Sequence, residues 1–141
     1  MAYITGIVLG LLTGLLARLA GFDRDRALYP AVLVVIPFYY VLFAVMGGSA
    51  RALLVESCLA IVFTTLAVVG FRSSLWLVVA ALAAHGVWDS VHDRVVSNPG
   101  VPAFWPGFCL SIDLTLAAVL AWLLQRGIVR ARRPEPTSVV A

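Results

Sequence analysis

Two histidines and two aspartates interrupt a long apolar sequence at residues 84–93, AHGVWDSVHD. His85, Asp89 and His92 are spaced i, i+4 and i+7, so a helix would carry all three on one face. Imidazole and carboxylate groups bind divalent metals, and both also exchange protons in catalysis. This stretch therefore predicts either a chemical site or a hydrogen-bonded pair that orders the surrounding helices.

The composition of the chain is typical of a membrane protein. Of its 141 residues, 62% are hydrophobic and only 12% are charged. A domain of this length cannot bury so much apolar surface in water, so the lipid bilayer is the expected solvent. The formal net charge is +3, but the arginines are scattered between apolar runs. This distribution argues against a nucleic-acid partner, which requires a continuous basic face.

Five apolar stretches approach the length of about 20 helical residues that crosses a hydrocarbon core about 30 Å thick. Helices are expected because an open strand leaves its backbone groups unsatisfied in lipid. The polar, proline-containing residues 131–141 are predicted to form a disordered cytoplasmic tail. Residues 1–130 are predicted to form an all-α polytopic bundle of five transmembrane helices at 3–21, 28–46, 50–71, 74–93 and 105–125.

The arginines also predict the orientation of the bundle. If the C-terminus is cytoplasmic, only Arg51 and Arg94 lie on the opposite side of the membrane. The positive-inside rule favours this arrangement, which places the N-terminus and the end of the fourth helix outside. We therefore expect a multi-pass protein of the bacterial inner membrane. The cytoplasmic arginines would be Arg18, Arg24, Arg26, Arg72, Arg126, Arg130, Arg132 and Arg133.

Four of the predicted helices carry polar groups at nearly one depth below the outer membrane surface. At 1.5 Å per residue, Glu56 lies ~9 Å deep, Asp113 ~11 Å and His85 ~12 Å, and Tyr39 lies ~10 Å deep. A carboxylate facing lipid is costly, so the acids should face the bundle interior or a wet cavity. We predict that Glu56, His85, Asp89 and Asp113 gather around one cavity as catalytic residues, with Tyr39 nearby.

A bound divalent metal such as zinc is the first hypothesis for this site. His85 and His92 lie about 10 Å apart along the helix axis, so one ion would use Asp89 with only one histidine. The metal would activate water against a lipid or isoprenoid-like substrate, as in a hydrolase, with Glu56 or Asp113 as proton shuttle. The candidate metal ligands are His85, Asp89, His92, Asp113 and Cys109.

Two other classes of function fit the same residues. A buried, protonated Glu56 or Asp113 can protonate an olefin or an epoxide, as membrane cyclases and isomerases require. Protonatable groups at one depth also suit a proton-coupled carrier or a small-molecule-binding module that is not an enzyme. The sequence shows no inverted repeat, so a carrier would require an oligomer.

Aromatic residues near this level are candidates for contacts with a lipophilic small molecule. Pro37 should kink the second helix just before Tyr39 and Tyr40, which can tilt both phenols towards the bundle axis. Trp88 and Trp105 are substrate-contact candidates as well, and their structural alternative is the aromatic belt at the outer membrane interface. Membrane lipids are the expected surroundings of the whole bundle.

Three glycines at four-residue spacing mark one face of the first helix: Gly6, Gly10 and Gly14. Small residues on one face let two membrane helices approach closely. The spacing therefore predicts close helix packing, either within one chain or at the seam of a homodimer.

The sequence HGVWDSVHD, followed by PAFWPGFCLSID, resembles the signature of a family of small bacterial membrane proteins defined as a domain of unknown function. That signature is HGxWDxxH, then a helix entry rich in proline and tryptophan that leads to FCxxxD. The resemblance covers mainly the fourth and fifth helices, and it implies no activity. It implies that one unit comprises His85, Gly86, Trp88, Asp89, His92, Pro106, Cys109 and Asp113.

Overall fold

The computed structural model describes residues 1–22 and 26–131. Each helix is long and apolar enough to cross a membrane, which confirms the all-α, five-helix fold. The observed bounds agree with the predicted ones to within two residues at each end. The helices are α1 (Ala2–Ala20), α2 (Leu28–Met46), α3 (Ala50–Arg72), α4 (Leu75–Val95) and α5 (Trp105–Gln125).

Some of the predictions concern parts of the chain that lie outside the described residues. Residues 23–25 include Arg24, and residues 132–141 include nearly all of the predicted tail. The orientation of the bundle, with the N-terminus outside and the C-terminus cytoplasmic, stays a prediction.

Local capping signals set the beginnings of the helices that carry the polar residues. Ser49 precedes α3 and its side chain accepts a hydrogen bond from the Ala52 backbone N–H. Ser74 precedes α4 and accepts from the Trp76 backbone N–H in the same way. Pro106 lies in the first turn of α5, where its missing N–H costs no helical hydrogen bond. These starts fix the axial position of every side chain that follows.

The main contacts between the helices follow the order α1, α5, α4, α3, α2. The helix α5 lies between α1 and α4, while α2 pairs with α3, and α3 also packs against α4. The apolar core fills one end of the bundle. At this end α2 and α4 begin, and α3 and α5 end. Its fully buried members include Leu33, Ala67, Leu75, Val78, Leu82 and Leu120. Apart from Arg26, the buried polar and charged side chains among the described residues lie towards the opposite end of the bundle.

The glycine face of α1 packs against α5 within the same chain. A Cβ added at Gly6 would overlap the side chain of Ser111, and one added at Gly10 would lie 2.9 Å from the Thr115 side chain. The spacing thus serves close packing between α1 and α5, as small residues do in membrane helices. A homodimer through Gly6, Gly10 and Gly14 would have to displace α5 from this face.

A buried cluster of histidines and carboxylates

Two histidines and three carboxylates are buried at one end of the bundle, each with at most 2% of its surface exposed. They come from the first half of α3, the second half of α4 and the first half of α5. Because α4 runs antiparallel to both α3 and α5, the three segments meet at the same end. The five residues are Glu56, His85, Asp89, His92 and Asp113.

The aspartate cluster, which we define as His85, Asp89, Asp113 and Tyr40, is held by short polar contacts. His85 Nδ1 lies 2.7 Å from Asp113 Oδ2 and 3.4 Å from Asp89 Oδ2, so one imidazole nitrogen faces two carboxylates. The Tyr40 hydroxyl donates a hydrogen bond of 2.7 Å to Asp89 Oδ1. The ring of Phe63 contacts His85 edge-on, with 4.7 Å between the ring centroids. The cluster is therefore polar at its centre and apolar on this flank.

The glutamate cluster, which we define as Glu56, His92 and Asn98, lies on the other side of Tyr40. His92 Nε2 is 2.8 Å from Glu56 Oε1. The Asn98 amide donates both to Glu56 Oε1, at 3.0 Å, and to the backbone oxygen of Tyr40, at 3.1 Å. The Tyr40 and His92 rings lie 4.4 Å apart between centroids. Tyr40 therefore connects the two clusters: its hydroxyl bonds to Asp89, and its ring lies against the His92 ring.

The aspartate cluster has the donor set and the spacing of a metal site. His85, Asp89 and Asp113 each offer one ligand atom within 4.8 Å of the others. Tetrahedral zinc with bonds of about 2.0–2.2 Å needs ligand atoms roughly 3.4 Å apart. The 3.4 Å between His85 and Asp89 meets this need, whereas the 2.7 Å between His85 and Asp113 would have to widen. Three protein ligands would leave a fourth position open for water or substrate.

Two carboxylate oxygens of the cluster have unused acceptor capacity. Asp89 Oδ2 and Asp113 Oδ1 are buried and accept no hydrogen bond from the described residues, although Asp89 Oδ2 lies 3.4 Å from His85 Nδ1. A buried acceptor that lacks a partner costs about 1–3 kcal/mol, and more when it is charged. The pair of acids is therefore arranged to receive a cation or additional protons.

A polar cavity of about 320 Å³ reaches the aspartate cluster from the end of the bundle. Asp89 lines this cavity, whereas His85, Asp113 and Glu56 do not. Ser90 and Arg94 add a hydroxyl and a guanidinium group to its wall. The remaining lining residues are Tyr3, Asp93, Ala103, Pro106, Gly107 and Leu110.

The structure corrects the expectation of a single cavity shared by all the acids. Glu56 pairs with His92, whereas Asp113 pairs with His85, so the acids divide between two clusters. His92 therefore lies apart from the three-residue group that has metal-ligand spacing. Cys109 is buried on α5 and is also not a member of that group.

The two tyrosines of α2 face different ways, which corrects the expectation that both turn towards the bundle axis. Tyr40 is buried at 2% exposure, whereas Tyr39 is 41% exposed. Consecutive residues differ by about 100° around a helix, so the rotation of α2 that buries Tyr40 turns Tyr39 towards the outer surface. The Tyr39 ring contacts Trp105 at 5.2 Å instead. Trp88 is half-buried, 6.2 Å from the His92 ring.

Asn98 is the residue of the site that sequence reasoning missed. It lies in the loop between α4 and α5, where SNPG predicts only a turn. The loop folds back onto the end of α2, because Gly47 and Gly100 lack side chains: a Cβ at Gly47 would lie 2.6 Å from the Gly100 nitrogen. An amide residue three positions beyond the end of a helix that carries site residues was the available signal.

No protein-family model, curated protein or solved structure matches the chain. The family resemblance carried by HGxWDxxH and FCxxxD therefore stays a prediction. The functional inference rests on the geometry of the aspartate cluster and of the cavity that reaches it.

Proposed function

We propose that the protein binds a divalent metal ion such as zinc through His85, Asp89 and Asp113, and acts as a metal-dependent enzyme on a membrane-soluble substrate. The observation that carries this proposal is the aspartate cluster itself, with three buried ligand atoms within 4.8 Å of one another. Asp89 Oδ2 and Asp113 Oδ1, which accept no hydrogen bond from the described residues, supply acceptor capacity that a cation would use. Ionisable groups are costly to bury in a membrane bundle, and they commonly mark a functional site.

The surrounding residues have roles that follow from their contacts. A divalent metal polarises carbonyl or phosphoryl oxygens and makes water nucleophilic at neutral pH. Tyr40 donates to Asp89 Oδ1, which orients the carboxylate and leaves Oδ2 for the ion. The hydrogen-bonded pair of His92 and Glu56 lies against the Tyr40 ring, and it holds a proton close to the site.

In this proposal the substrate reacts in the polar cavity. Of the three proposed metal ligands, only Asp89 lines this cavity. A substrate group in the cavity therefore reaches the ion from the Asp89 side. Arg94 lines the same cavity and can donate hydrogen bonds to substrate oxygens, whereas the Ser90 hydroxyl already donates to the backbone oxygen of Val87.

A metal-free acid–base site is the second candidate function. The 2.7 Å contact between His85 Nδ1 and Asp113 Oδ2 favours it, because this is a short hydrogen-bond distance across which a proton can pass. In this candidate Asp113 and His85 transfer a proton to or from the substrate without an ion.

The metal content of the purified protein separates the two candidates. The wild-type protein, loaded with zinc in a mild detergent and then dialysed, should retain one equivalent by elemental analysis. Asp113→Asn removes a charged ligand and should weaken zinc binding by more than about 100-fold, since even outer contacts of metal ligands are worth about 10–100-fold. Glu56→Gln is the matched control, because Glu56 lies in the glutamate cluster, and it should retain the metal.

A wild-type protein that retains no zinc, cobalt or manganese above the detergent blank would refute the metal proposal and leave the acid–base candidate. The enzymatic part has its own measurement. Zinc-loaded protein in a bilayer of total polar lipid extract should convert a lipid species that Asp113→Asn leaves unchanged. Identical lipid profiles for the two proteins would contradict an activity on these lipids.

A further inference from the structure

An apolar groove runs along the surface between α1 and α5. It has a volume of about 600 Å³, within the range of about 300–1,000 Å³ that small-molecule sites occupy. Ile7 and Leu11 of α1 form one wall, and Leu114, Ala118 and Trp122 of α5 are on the other. All these residues belong to predicted transmembrane segments, so the groove opens towards lipid.

The groove meets the polar cavity at one end. Tyr3 and Leu110 line both spaces, so the two share a boundary. Gly107 makes room for this arrangement, because a Cβ at that position would lie 3.0 Å from the Tyr3 ring. An apolar surface thus leads directly to the cavity that contains Asp89.

The dimensions of the groove match a long hydrocarbon chain. Leu110 and Trp122 are twelve residues apart on α5, which corresponds to about 18 Å along the helix axis. This is more than half of a hydrocarbon core about 30 Å thick. A chain that begins at the cavity therefore extends past the centre of the bilayer.

The polar cavity, at one end of the groove, has side chains that can bind the anionic head of a lipid. Arg94 offers a guanidinium group, which suits the several oxygens of a phosphate. The ion at Asp89 adds positive charge in the proposed function. Asp93 also lines the cavity, and its side chain is 67% exposed, so it can remain in water.

We propose that the substrate is a lipid with one long hydrocarbon chain and a phosphate head, whose chain lies in the apolar groove and whose head lies in the polar cavity beside Asp89. This proposal rests on the proposed function, because the head is placed at the metal ligands. It adds the substrate class and the path by which the substrate reaches the site from the membrane.

Two photoreactive forms of hexadecyl phosphate test the placement. One carries a diazirine near the phosphate and the other near the end of the chain, and both are added to zinc-loaded protein in phosphatidylcholine nanodiscs. Mass spectrometry should locate the head-proximal label at Tyr3 or Leu110 and the chain-end label near Ala118 or Trp122. Equal labelling of the lipid-facing surfaces of α2 and α3 would show ordinary surrounding lipid and overturn the proposal.

A groove-filling variant provides the matched comparison. Ala118→Trp should reduce chain-end labelling of the groove about tenfold, a loss equivalent to 1.4 kcal/mol of binding. Ala80→Trp places the same side chain at an exposed position of α4 outside the groove and should leave the labelling unchanged. Equal labelling in both variants would contradict the proposed path.

The metal content of the same samples separates this inference from the proposed function. Bound zinc with unselective labelling would refute the groove and leave the metal site. Selective labelling without bound zinc would support the groove and refute the placement of the head at a metal. Arg94→Gln should reduce labelling by the head-proximal probe, and unchanged labelling would contradict the phosphate assignment.

Discussion

Replacing His85 with alanine should lower the free energy of unfolding of the metal-free protein by about 3–5 kcal/mol, the cost of breaking a buried charged pair from one side. His85 Nδ1 faces both Asp113 and Asp89, and all three side chains are buried. Without the imidazole, two carboxylates lie close together with no group between them. Thermal unfolding in a mild detergent, with a chelator present, measures the loss.

A second substitution tests the cause. If uncompensated charge is responsible, Asp113→Asn in the His85→Ala background should recover part of the lost stability. If the loss comes from the cavity beside Phe63, the double variant should be no more stable than His85→Ala alone. Cys58→Ala, at an exposed position of α3, serves as the neutral control.

The structure changes what the His85 variant can decide. From the sequence, His85 and Asp89 form a pair on one helix, and a stable His85→Ala protein would identify a metal ligand. The structure adds Asp113 as the closer partner, at 2.7 Å. Destabilisation is therefore expected whether or not a metal binds, so the metal content and not the stability separates the two roles.

Gly100→Ala should destabilise the protein by about 2–6 kcal/mol, because it displaces a loop that makes two buried hydrogen bonds worth about 1–3 kcal/mol each. A Cβ at Gly100 would overlap the backbone oxygen of Phe43 and lie 3.0 Å from the backbone nitrogen of Gly47. These are backbone atoms of the end of α2, so the loop must move. Asn98 would then lose its contacts with Glu56 and with the Tyr40 backbone.

Two variants in the same loop test the cause of this loss and provide its control. Asn98→Ala removes the hydrogen bonds without the steric overlap and should reproduce most of the loss. Ser97→Ala is the control, because Ser97 is exposed, and it should unfold at the wild-type temperature. A Gly100→Ala protein as stable as the Ser97→Ala control would show that the close approach of the loop to α2 is not required.

The sequence by itself determined the five helices and the level of the polar residues. Length, hydropathy and the helix-ending residues are local properties, so the predicted bounds agree with the structure to within two residues. Short connections between antiparallel helices also fix the axial position of each side chain. Glu56, His85, Asp89 and Asp113 therefore lie at the same end of the bundle, as predicted.

Only the tertiary structure decided which of these side chains meet. A shift of one residue turns a helix face by about 100°, so axial counting did not distinguish Tyr40 from Tyr39. Lipid tails are as apolar as leucine, so in a membrane the hydrophobic pattern gives little information on the face that points inward. The pairing of His92 with Glu56, and the placement of Asn98 by its loop, depend on the rotation and packing of whole helices.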